Sequence, residues 1–388
     1  MTCRTVDVRG DTRRRLAPLT PLLLATTLLL VLLGGCAAPQ SAALREAWRA
    51  AGAGAAAAGA DVDSGAAAQP GAGVRSTDVR STDVRSTDVR STDVRLAAPF
   101  PLPPVARLDD VPFVAQTEYQ CGPATLAMLM RRLGRDVTLD ELSQAVYVPA
   151  RQGSLAAEML ALPRRHGLLP MRAATSLQPL LQTVAQGRPV IVFQNLGLSA
   201  LPVWHYAVLV GYDLPANRVW LHSGTSPMLA MSLDTFERTW ARSGYWAMTV
   251  SEPDAPPPDA EPLSVVQAAA ALERLDRSAA LRTYDALLSR RPDDRLALLA
   301  RANALYADGR PTQAVAAYQR LVQAHPDAAD GWNNLAQALA ELGRLDEARR
   351  AVQRALALGG PRLPVYQQTA AQLGAAQLGS SRSKAPAR

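Results

Sequence analysis

The sequence predicts two folded parts in tandem: an α+β domain with its helices first and an antiparallel sheet after them, then an all-α domain of repeats. Three observations carry this. Helix-forming apolar stretches fill residues 121–186, and β-rich apolar runs take over from Pro189 to Val250. A proline- and acid-rich break covers 251–262. Beyond it a 34-residue period sets in: Ala280, Ala314 and Ala348 are equally spaced, as are Tyr284, Tyr318 and Val352, and the pairs Pro292/Pro326 and Gly309/Gly343 keep the same interval. At 388 residues the chain has room for two domains of ordinary size.

The first 36 residues read as a targeting segment. Arg4, Arg9, Arg13, Arg14 and Arg15 form a basic front, Leu16 to Leu33 an apolar core, and Gly34 and Gly35 a small-residue end before Cys36. Residues 37–107 read as a low-complexity linker. Alanine and glycine dominate to about Gly73, Arg-Ser-Thr-Asp-Val then recurs four times between Arg75 and Arg95, and Pro99, Pro101, Pro103 and Pro104 close the stretch. Such a spacer is expected to give reach.

The α+β domain is expected over 108–250. Val111-Pro112-Phe113-Val114 reads as a short strand. Pro123 suits the first turn of a helix, where its missing N–H costs nothing, and the breaker-free run that follows carries that helix to about Arg132. Thr138 with Glu141 three residues on is a capping box. Further helices are expected over about 155–166 and over 177–186, the latter ended by Gly187. Strands follow at Pro189–Gln194, Trp204–Tyr212, Arg218–His222, Met228–Met231 and Tyr245–Val250, with a helix near 233–241. The all-α part covers 263–378, as three repeats and a closing helix, with 379–388 as a tail. Trp332, Leu335, Gly343, Ala348 and Ala355 in the last copy match the tetratricopeptide pattern, and three copies with a closing helix are the least that stack stably.

Composition excludes some functions. The net charge is +7, but Lys384 is the only lysine and no basic cluster interleaved with aromatics occurs in the folded parts, so no nucleic-acid partner is expected. There is no paired-histidine spacing and no phosphate-binding loop, so no metal and no cofactor are expected.

The cysteines point to chemistry. Cys3 leaves with the targeting segment and Cys36 ends it, which leaves Cys121 alone in the body of the chain. Exported proteins normally pair their cysteines, so a lone thiol before Gly-Pro at a helix start reads as reactive. Unpaired amides and the positive dipole end there favour the thiolate. Nucleophilic attack on a carbonyl also needs a base, donors for the oxyanion and a group to orient the base. Of the four histidines, His166 sits at a helix end, His325 in a repeat and His222 one strand over, while His205 opens an apolar strand 84 positions after Cys121. Gln116 or Gln120 is the candidate oxyanion donor.

Gln116, Cys121-Gly122-Pro123-Ala124 at a helix start and His205-Tyr206-x-Val208-x-x-Gly211-Tyr212-Asp213 downstream resemble the bacteriocin-processing, double-glycine-leader cysteine peptidases over about Leu108 to Val250. The resemblance implies a papain-like α+β fold, with Cys121 as nucleophile, His205 as base and Gln116 at the oxyanion. Leu33-Gly34-Gly35-Cys36 resembles a bacterial lipobox, which implies a lipid on Cys36. Ala37 after it implies sorting to the outer membrane, facing the periplasm. The whole order is similar to stand-alone lipoproteins of that superfamily. Two departures stand out. Gln116 lies one residue closer to the cysteine than in the family, and the orienting aspartate is absent. Ser223 occupies about its place, with His222, Asn195 and Asp213 as substitutes. The expectation is a membrane-anchored periplasmic cysteine peptidase with a peptide or protein substrate and a protein partner on its repeats. The alternative is a catalytically degenerate envelope scaffold acting through those repeats.

Overall fold

The computed structural model describes residues 40–60, 102–116, 119–149 and 153–383. The targeting segment, Cys36 and the Arg-Ser-Thr-Asp-Val repeats lie outside the described residues.

A mixed helix-and-strand half comes first. After α1 (Gln40–Ala60) and β1 (Val105–Arg107), the chain forms α2 (Cys121–Arg132), α3 (Leu139–Val146), a two-stranded β2 (Tyr147–Val148) and β3 (Gly153–Ser154), α4 (Ala156–Arg165), β4 (Leu169–Arg172) and α5 (Leu177–Ala185). Then follow β5 (Val190–Asn195), β6 (Trp204–Asp213), β7 (Arg218–Ser223), β8 (Ser226–Ser232), α6 (Leu233–Ala241) and β9 (Ala247–Ser251). The main sheet runs β4-β9-β5-β6-β7-β8, with β1 added to the far end of β6, and the pairings are antiparallel.

Strand alternation on β6 splits the core in two. Tyr206, Val208 and Val210 pack into the cluster that holds Cys121, Leu126 and Met130 of α2. Ala207 and Leu209 face the other way, into the cluster of α5 and α6 with Leu181, Phe236 and Trp240. Helices thus cover both faces of the sheet. The capping box at α3 is present: Thr138 Oγ1 accepts from the Glu141 amide, and Glu141 Oε2 accepts from the Thr138 amide at 2.9 Å.

The second half is all helix: α7 (Pro262–Glu273), α8 (Arg277–Arg290), α9 (Arg295–Ala307), α10 (Pro311–Ala324), α11 (Ala329–Glu341), α12 (Leu345–Leu358) and α13 (Leu363–Ser383). Ala280, Ala314 and Ala348 are fully buried at equivalent positions, where a methyl group lets paired helices approach closely. Gly309 and Gly343 take positive φ (67° and 73°) in the turns between paired helices, a conformation that costs other residues about 1 kcal/mol or more. Edge strand β4 places Leu169 and Met171 in the same core cluster as Val265 and Ala269 of α7, so the repeats cover the edge.

Four features differ from the sequence reading. Val111 and Val114 are buried but form no strand; the first strand is Val105–Arg107, inside the expected linker. Strand β4 was hidden by Pro170, which a strand tolerates at an edge, where its ladder hydrogen bond is not needed. The β2–β3 pair of two residues each is too short to leave a periodic signal.

The fourth is α1. Residues 40–60 are helical, not spacer, and the helix docks by polar contacts that its alanine-rich composition conceals. The amides of Gln40 and Ser41 donate to Glu237 Oε1 and Oε2 at 2.5 and 2.8 Å. Arg45 pairs with Asp234 at 2.8 Å and with Asn217, and Leu44 is buried beside α6. The Glu237 carboxylate therefore caps the positive end of α1.

Candidate active site

Cys121 is the first residue of α2, with Gln120 as the N-cap residue. It is buried, 2% exposed. Cys121 thus stands in the first turn, at the positive end of the helix dipole. Tyr119, two residues before it, takes φ 65°, a left-handed conformation that is uncommon for a side-chain-bearing residue. Backbone strain of this kind concentrates in segments that position reacting groups.

Ser154 of β3 presses on the same helix start. A Cβ on Gly122 would lie 2.5 Å from Ser154 Oγ and 2.7 Å from Ser154 Cβ. Glycine is therefore required beside the thiol. Gly122→Ala is expected to destabilise the domain by about 1–3 kcal/mol through overpacking, and Ser154→Gly in the same chain to recover much of that loss. Urea midpoints of the single and double variants measure it; an undisturbed Gly122→Ala midpoint contradicts the contact.

His205 lies near the start of β6, paired across from Gln194 of β5, and is 6% exposed. Its Nε2 lies 2.9 Å from Ser223 Oγ, at the end of β7. The register explains the choice among the substitutes. Val208 pairs with His222, so successive residues of β7 face opposite sides, and Ser223 shares a face with His205. His222 faces the other way: its Nε2 is 3.1 Å from Val111 O, its Nδ1 accepts from the Met228 amide at 3.2 Å, and Phe113 packs edge-on at 5.4 Å. Both ring nitrogens are thus engaged elsewhere. Asn195 is occupied too, its Oδ1 accepting from the amides of Gly197 and Val203 at 3.0 and 2.9 Å. Asp213, at the far end of β6, pairs with Arg218 at 3.0 Å. The structure brings Ser223 alone of these four to His205.

Among the described residues no carboxylate is hydrogen-bonded to the imidazole, and burial lowers the His205 pKa from 6.5 to about 4. The unfolded chain therefore binds the proton more tightly between these two values. His205 contributes stability that is present above pH 6.5 and is lost as pH falls through about 4. The difference corresponds to about 3 kcal/mol. Urea unfolding at pH 7 and pH 4 should show a fall larger in the wild type than in His205→Gln by roughly this amount. Equal falls in the two proteins contradict it.

Gln116 is buried at 6% exposure, and its backbone amide donates to Gly224 O at 3.1 Å. This bond brings the loop before Cys121 to the end of the sheet that holds Ser223. Among the described residues the buried side-chain Nε2 of Gln116 has no hydrogen-bond partner. An unpaired buried donor costs about 1–3 kcal/mol, and that loss is offset when a transient acceptor arrives.

Sequence reasoning passed over Gly122 and Ser154, though the glycine after the cysteine was in view; only the packing of β3 gives it meaning. Among the described residues no cluster of histidine, cysteine and carboxylate side chains has metal-ligand geometry.

Residues 108–248 match the Peptidase_C39 like family, and residues 265–324 and 299–362 match the tetratricopeptide repeat. The chain therefore carries a C39-like peptidase domain followed by tetratricopeptide repeats. Among solved structures it is similar to a candidate C39-like peptidase from Bacillus anthracis, at 18% identity over 38% of this chain and 96% of that one, with a TM-score of 0.34. It is also similar to a double glycine motif protease from an AMS/PCAT transporter in complex with its leader peptide, at 22% identity over 38% and 94%, TM-score 0.30. The repeats are similar to the Sgt2 TPR domain from Aspergillus fumigatus, at 21% identity over 35% and 90%, TM-score 0.31. No curated protein matches the chain.

Proposed function

We propose that the protein is a cysteine peptidase anchored to the periplasmic face of the outer membrane by a lipid on Cys36, with repeats that hold a protein partner. Cys121 attacks the scissile carbonyl, and its proton passes to the neutral His205 and on to the leaving amine. Ser223 holds His205 through Nε2, which leaves Nδ1 as the nitrogen that exchanges the proton. The reading requires the thiol, from the α2 side of the sheet, and the imidazole, from the α6 side, to meet past the strand end at which His205 lies. Gln116 Nε2 and the Cys121 amide receive the oxyanion.

The observation that carries this reading is the orphaned Gln116 amide, buried in a loop bonded to the turn beside Ser223. Gln116→Ala is expected to lower kcat by about 10²–10³ with little change in KM. The test is to incubate the full-length protein with a peptide mixture and identify the products by mass spectrometry. Products equally abundant with Cys121→Ala contradict the reading.

The scaffold reading has one observation in its favour: Ser223 stands where a carboxylate is expected, and His205 is held neutral down to about pH 4. It expects no product from the wild type above that from Cys121→Ala, and unaltered partner capture by that variant.

A further inference from the structure

We propose that the β5–β6 turn, residues 196–203, is a lipid-contacting tip that seats the peptidase-like domain directly on the membrane surface; this rests on the anchoring of Cys36 read above. Leu196, Leu198 and Leu201 are 43%, 66% and 74% exposed within six residues of chain. A single exposed leucine is ordinary, but three on one tip mark a contact surface. The tip is also braced by hydrogen bonds. Leu196 N donates to Val203 O at 2.8 Å, Asn195 Oδ1 accepts from Gly197 and Val203, and Arg242 Nη1 donates to Gly197 O at 2.7 Å. A Cβ on Gly197 would stand 2.4 Å from Leu201 O, so the turn is folded tightly on itself. The leucines are displayed by a built structure.

The course of α1 identifies the occupant. Gln40 and Ser41 bond Glu237, and Ser41 Oγ also bonds Asp234, while Arg45 reaches Asp234 and Asn217, whose carbonyl accepts from the Leu233 amide at the start of α6, so α1 runs back toward that start. Its N-terminus therefore points toward the C-terminal end of α6, where Arg242 grips the tip. A second contact agrees. The Leu177 amide, at the start of α5, donates to Gln40 Oε1 at 2.6 Å. Helix α5 runs back to the beginning of β5, so its own start lies toward the end of β5 from which the tip springs. Cys36 is four residues ahead of Gln40, and four extended residues span at most about 14 Å. A lipid on Cys36 would thus lie within about 14 Å of Gln40, at the end of α1 nearer the tip. The Arg-Ser-Thr-Asp-Val stretch comes after α1 in the chain, so it does not separate the anchor from the domain. The bilayer is then the apolar surface that the three leucines meet.

The test uses the full-length protein in vesicles of phosphatidylethanolamine and phosphatidylglycerol. A polarity-sensitive dye is attached at Leu198→Cys, on a Cys121→Ser background. Leu201→Cys serves as a second reporter and Leu263→Cys, 52% exposed on α7, as the control. The expected result is a blue shift at positions 198 and 201 and at least 2-fold quenching by doxyl-labelled lipid, with neither at 263. Emission at 198 and 201 matching that at 263 overturns the proposal, with or without lipid on Cys36. Emission indifferent to vesicles but shifted by a cleavable peptide also overturns it, and assigns the tip to substrate. The mass of the Cys36 peptide is read separately: a lipid-free Cys36 overturns the anchoring reading, whereas an unquenched dye on a lipidated chain overturns only the tip.

Discussion

Cys121→Ala is expected to lower peptide hydrolysis by at least about 10³-fold, to the residual rate that binding and oxyanion donors alone sustain. The expectation follows from the arithmetic of the site. The chain has four histidines and Cys121 is its one cysteine outside the N-terminal 36 residues, so no second nucleophile–base pair of this kind stands ready to replace it. The loss should fall on kcat, because a thiol-to-methyl change removes the attacking atom and little of the binding surface. Folding should survive it. Cys121 is buried at the start of α2, and alanine is a good helix former that leaves only a sulfur-sized space. Steady-state kinetics with any cleaved peptide, together with a thermal melt of the variant, measure both parts. A kcat within a few-fold of the wild type removes the thiol from the mechanism.

The second large effect runs in the other direction. Ser223→Asp is expected to raise the His205 pKa by about 2 units or more and to raise kcat/KM by 10-fold or more. A carboxylate close to an imidazolium favours the charged form, opposing the burial that now holds the ring neutral. It also only accepts hydrogen bonds, so it requires a proton on Nε2 and keeps Nδ1 open. The Ser223 hydroxyl at 2.9 Å both donates and accepts, so it aims the ring without choosing its tautomer. Ser223→Ala is correspondingly expected to lose little. The check is the pH profile of kcat/KM beside a histidine titration followed by NMR. A gain in kcat/KM without any movement of the His205 titration contradicts the electrostatic account. Loss of activity in Ser223→Asp contradicts the geometric one.

Much of the peptidase-like half was legible in the chain. The Cys121 helix announces itself through Gly122-Pro123 and an unbroken apolar run, and the α3 start through Thr138 and Glu141. The pairing of His205 with Ser223 follows once β6 and β7 are set in register, because a one-residue difference along a strand puts Ser223 and His222 on opposite faces. What stayed hidden depends on contacts distant in sequence. Helix α1 looks like spacer because its docking rests on Ser41 and Arg45 meeting Asp234, nearly two hundred residues away. Strand β4 carries a proline that is harmless only at an edge, and whether a strand is an edge is a property of the whole sheet. The importance of Gly122 is equally non-local, since it is set by Ser154 across a contact that no motif encodes.

The most direct measurement is the rate of Cys121 alkylation by iodoacetamide across pH, in the wild type and in His205→Ala. The thiol over the α2 amides with an imidazole to take its proton should react with a midpoint below the free-cysteine value of about 8.5, and His205→Ala should slow it and move the midpoint upward. Superimposable profiles with an ordinary midpoint, or a thiol that no pH makes reactive, would contradict the pairing of Cys121 with His205.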